Sequence, residues 1–91
     1  IAIDWPVRYK EIEPWYGYVE KFIGVTGSTE HIPHLPDGFF QPAMEMTCVE
    51  KEISKKIHSF YQGKRRMIVG RSANLTQPKD NRQQCQYRNK C

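Results

Sequence analysis

The stretch from Thr26 to Pro42 constrains this chain more than any other. Its 17 residues hold Pro33, Pro36 and Pro42 together with Gly27, Gly38, Ser28 and Asp37. Neither a helix nor a central strand accommodates that spacing of turn formers. The 91 residues therefore divide into two halves around a long connection. Connections of this length are uncommon inside a compact domain and usually serve function or pack against something else. Leu35, Phe39 and Phe40 lie within it, and their apolar surfaces need cover.

Ahead of the loop, residues 1–8 read as an extended entry, because Pro6 biases Trp5 away from helical dihedrals. Ile12, Trp15, Tyr16, Val19, Phe22 and Ile23 then recur at spacings of three and four, one stripe on a helix. Pro14 is tolerated only near a first turn, so the periodicity predicts a helix from about Glu13 to Ile23, stopped by Gly24. Trp15, Tyr16, Val19 and Phe22 are read as helix-packing surface.

After the loop, Thr47 and Glu50 make a capping box. Met46, Val49, Ile53, Ile57 and Phe60 give a second helical stripe, Lys55, Lys56 and His58 suit its C-terminal end, and Gly63 terminates it. Arg66–Gly70 is short and β-prone. Ser72–Gln84 lacks periodicity and reads as loop. The expected fold class is α+β: two helices, one or two short strands and long loops, forming one partial domain over residues 1–91.

Apolar residues make up 38% of the chain, which is meagre for a chain that must supply its own core. A folded domain this short buries only about 60% of its unfolded surface. The 12% of aromatic residues argues for order nonetheless, since Trp and Tyr bring large buried areas. Ile1 and Cys91 do not read as natural termini, and the chain is expected to be a piece of something longer. No apolar run approaches the roughly 20 residues of a membrane span. The net charge of +4 is concentrated between Lys55 and Arg71, where no acid occurs. That cluster reads as a solvated helix end and surface strand, so no nucleic-acid partner is expected.

Few residues suggest chemistry. His31, His34, Cys85 and Cys91 could in principle ligate zinc, but the cysteine spacing is wide for a structural site and Pro33 stiffens the histidine pair; no metal is expected. Cys85 and Cys91 are also close enough in sequence for a disulfide, leaving Cys48 unpaired. Cys48 stands at the start of the second helix with no base near it in sequence and reads as a packing residue. Glu11, Glu13, Glu20 and Glu30 read as surface charge rather than a facing acid–base pair. Asn74-Leu75-Thr76 matches a glycosylation acceptor without a secretory context.

Three stretches carry a resemblance when taken in order. They are Trp5-Pro6-Val7-Arg8-Tyr9-Lys10-Glu11-Ile12 running into Glu13-Pro14-Trp15-Tyr16, then Leu35-Pro36-Asp37-Gly38, then Cys85-Gln86-Tyr87-Arg88-Asn89-Lys90-Cys91. Together they resemble the middle of the glucose-methanol-choline (GMC) oxidoreductases, closest to a bacterial branch that includes gluconate and sorbose dehydrogenase-like flavoproteins. The resemblance implies a parent enzyme that uses FAD to oxidise an alcohol or sugar hydroxyl. It places this chain on the substrate-domain side, with the remainder of the parent polypeptide as its partner. Tyr87 and Arg88 are the implied lining of a substrate or flavin cavity. The family's Gly-x-Gly-x-x-Gly turn is absent from these residues, and nothing matches its catalytic histidine region, so no catalytic residue is carried over and no cofactor is expected on the isolated chain. A small basic binding module, zinc-stabilised at His31, His34, Cys85 and Cys91, is the competing expectation. A third expectation is a free-standing remnant of the enzyme reused as an interaction domain, which would self-associate through its exposed apolar faces.

Overall fold

The computed structural model describes residues 3–87. Arg88 and Cys91, and with Cys91 the Cys85–Cys91 pairing, lie outside them. Two helices form: α1 (Tyr9–Ile23) and α2 (Cys48–Phe60). Strand content is confined to isolated bridges. The β-prone run Arg66–Gly70 forms neither helix nor bridge, and the bridge falls on Ser72 instead.

α1 starts four residues earlier than the periodicity predicts, and Pro14 sits inside it. The start is fixed from outside the apolar stripe. Glu11 accepts a hydrogen bond from the Arg8 backbone N–H at 2.7 Å, and Asp4 grips the Arg8 guanidinium through two bonds of 2.9 and 2.6 Å. These contacts begin the helix ahead of Pro14, which leaves the Lys10 carbonyl without the N–H that position 14 would otherwise donate. The far end matches expectation. Gly24 takes left-handed dihedrals (φ 83°) and donates its N–H to the Glu20 carbonyl at 3.0 Å.

α2 has the anticipated capping box, with the Thr47 N–H donating to Glu50 at 2.7 Å and the Glu50 N–H donating to the Thr47 hydroxyl at 3.3 Å. Gly63 (φ 77°) closes it by donating to the His58 carbonyl at 2.8 Å. α1 and α2 do not pack on each other.

What joins the chain is a three-segment junction rather than a hydrophobic core. Thr26 donates its N–H to Ser72 at 2.7 Å and accepts from Ser72 at 3.2 Å, while Gln41 donates to Val25 at 2.8 Å and accepts from Gly27 at 3.1 Å. The Gln41 side-chain oxygen then accepts the Thr76 and Gln77 N–H groups at 3.0 and 3.1 Å. Beside it lies Leu75, 7% exposed and the buried apolar side chain of the described residues, with Thr26 the buried polar one. The accessible surface is 8176 Å², whereas a folded chain of this mass exposes roughly 5,500 Å². The radius of gyration is 16.6 Å, against about 12 Å for a compact domain of equal length.

Candidate functional site

Two open grooves flank the junction. The first, about 600 Å³, runs between the irregular segment before α2 and the one that follows it. Met44, Met46, Met67 and Val69 supply its apolar walls, and Thr76 and Tyr87 complete it. Of the two residues that the GMC resemblance implies as cavity lining, Tyr87 is thus on a groove wall, with a left-handed backbone (φ 55°) and its N–H directed to the Cys85 sulfur at 3.4 Å.

The second groove, about 610 Å³, lies along α1 and holds Tyr9, Tyr16, Glu20, Asp37, Phe39 and Arg71. Asp37 organises it. Its carboxylate accepts the Glu30 and His31 backbone N–H groups at 2.9 and 3.0 Å, and His31 Nδ1 stands 3.1 Å away. The Glu30 amide is the main reason that the Asp37 carboxyl is held below the usual range, with the His31 amide, the nearby His31 ring and the Arg71 guanidinium adding to it. Arg71 Nη2 approaches Asp37 only to 3.7 Å and is buried without a hydrogen-bond partner among the described residues. Its guanidinium lies 4.4 Å over the Phe40 ring, a stacked geometry that leaves the fork partly unused. The Tyr9 phenol titrates above its ordinary value, chiefly through desolvation and secondarily through the Glu13 and Glu20 carboxylates.

His31 is engaged with Asp37, and no group of three metal-ligating side chains gathers among the described residues. Cys91 lies outside them. Cys48 is exposed rather than packed, which corrects its reading as a packing residue: it occupies the first position of a helix with no buried residue. In the glycosylation triplet, Leu75 is buried and the Thr76 hydroxyl donates to the Pro42 carbonyl at 2.7 Å.

The α1 stripe is also corrected. Trp15 is 68% exposed and Phe22 64%, and the buried position of α1 is Gly17. A Cβ at Gly17 would meet the Phe39 ring at 3.0 Å, so the loop crosses α1 over the one residue without a side chain. The aromatic stripe points the other way, with Trp15 edge-on to Tyr18 and Tyr18 stacked on Phe22.

Gln41 and Arg82 went unread in the sequence, and Asp37 was read only as a turn former and part of the resembling Leu35–Gly38 stretch. Arg82 donates to the Ile23 and Phe22 carbonyls at 2.9 and 3.2 Å, capping α1 from 59 residues away. Only the position of Asp37 between two turn-forming residues hinted at its role.

Neither helix N-terminus suits a dinucleotide pyrophosphate. Glu11 sits at the start of α1 and Glu50 caps α2, so carboxylates fill the places an anion would need. No family model, curated protein or solved structure matches the chain. No helix among the described residues is long and apolar enough to cross a membrane.

Proposed function

We propose that this chain is a substrate-domain segment of a GMC-type, FAD-dependent oxidoreductase that oxidises an alcohol or sugar hydroxyl, and that it braces the substrate cavity without performing the chemistry. The observation that carries this reading is the uncovered apolar surface. The total accessible surface exceeds a folded monomer's share by about 2,600 Å², and the side chains left exposed include the aromatic row Trp15–Tyr18–Phe22. Soluble monomers rarely leave patches of more than a few hundred Å² bare. The ordered motifs Trp5–Tyr16, Leu35–Gly38 and Cys85–Cys91 supply the family. FAD, bound elsewhere in the parent, takes up the hydride; the part of these residues is to hold the wall on which Tyr87 lies, with Arg88 beside it in sequence.

The coding sequence on both sides tests this. An in-frame Gly-x-Gly-x-x-Gly after a strand upstream and a histidine-bearing region downstream are expected. A start codon directly before Ile1 with a stop after Cys91 would overturn the reading, as would tight FAD binding by the 91 residues alone. In the whole enzyme, Tyr87→Ala is expected to raise KM for the alcohol substrate about tenfold or more, the loss of one good contact.

A further inference from the structure

The groove beneath Tyr87 has walls of an unusual kind. Ala43–Met46 on one side and Ile68–Gly70 on the other lie outside any helix, turn or strand, and none of their backbone groups makes a backbone hydrogen bond among the described residues. Met67 is served only from the α2 side, where the Ser54 hydroxyl reaches its carbonyl at 3.5 Å. While water fills the groove this costs nothing. Once other polypeptide covers it, each unpaired N–H or C=O needs a new partner. A helix has no backbone groups left to offer, whereas a strand offers them at the spacing of the wall.

We infer that Met67–Gly70 is a pairing edge that accepts a β-strand from another part of the parent polypeptide, a strand with an apolar centre and carboxylates at the end beside Lys64 and Arg65. The inference rests on the proposed membership in a larger enzyme. Met-Ile-Val is strand-favouring sequence, and the methionines of both walls adapt their shape to an incoming side chain. Charge selects the partner. Lys64 and Arg65 have no carboxylate partner among the described residues, and Arg65 rests instead 4.6 Å over the exposed Tyr61 ring. A second copy is the wrong occupant. Antiparallel self-pairing centred on Ile68 sets Arg65 opposite Arg71, and parallel pairing sets Arg65 and Arg66 against themselves; directly opposed like charges destabilise a sheet.

Hydrogen exchange at single-amide resolution, on the 91-residue chain and on the full parent polypeptide, tests the inference. In the isolated chain the amides of residues 67–70 should exchange at nearly unstructured rates. In the parent, alternate amides should slow by about 100-fold or more, because successive N–H groups of a strand face opposite sides and α2 occupies one of them. Charge reversal at both Lys64 and Arg65 to Glu in the parent should cut that protection about tenfold, and Lys64→Arg should leave it intact. Fast exchange at 67–70 in a parent whose α1 stripe is protected overturns the pairing and leaves the enzyme reading standing. Uniform rather than alternating protection means burial without a strand and also overturns it, and protection indifferent to charge reversal refutes the acidic partner. If no larger polypeptide is encoded, both readings fall together.

Discussion

At the scale of single residues, Gln41, Leu75 and Asp37 hold disproportionate responsibility. Gln41 uses its backbone to bridge residues 25–27 and its side-chain oxygen to hold Thr76 and Gln77. Gln41→Ala is expected to destabilise the junction by about 1–3 kcal/mol, since two amides lose their acceptor together; urea titration followed at the 76 and 77 amides measures it. Leu75→Ala removes the buried apolar side chain, and such changes cost about 2–5 kcal/mol, a large loss for a junction this small. The Asp37 carboxyl titrates below its free value, so its contribution is complete above the unfolded value of about 3.9. It is lost as pH falls through the depressed folded value. Protection of the Glu30 and His31 amides, relative to free amides at the same pH, should therefore fall in that acid window, and Asp37→Asn should lower it at neutral pH as well.

At the scale of elements, the sequence spoke where the signal was local. Gly24, Thr47, Glu50 and Gly63 were legible because a cap is decided within four residues. The early start of α1 was not, because an acidic grip on Arg8 from Asp4 and Glu11 outweighs the proline rule. The orientation of α1 was not legible either. Its stripe is the part with no partner among the described residues, and the loop found Gly17 instead. For the candidate site, Tyr87 was named from resemblance alone, and the use of the groove it touches is a proposal, while Asp37 and Arg82 act across distances that periodicity does not register. Arg82→Ala should fray the last turn of α1, costing about 0.5–1.5 kcal/mol as two modest bonds to carbonyls are lost. Thr47→Ala should cost α2 about 1 kcal/mol. Far-ultraviolet circular dichroism reads both.

At the scale of the whole molecule, two helices and a little strand are joined by hydrogen bonds across long loops. The described residues bury too little to account for stability by burial alone. The isolated chain should therefore self-associate, with an apparent mass in sedimentation that rises with concentration. Trp15→Glu together with Phe22→Glu should suppress that rise by splitting the aromatic row.

The separation of α1 from α2 bears on how the chain comes apart. α2 is 13 residues long and has no buried residue, close to the length at which a lone helix is marginal in water. Without a shared core, loss of one region does not compel loss of the other. Heating should yield overlapping transitions, with the helical signal of α2 fading gradually while the 26–41–72 crossing gives way more sharply. A single midpoint then describes neither, and Leu75→Ala should move the second event while leaving the first where it was.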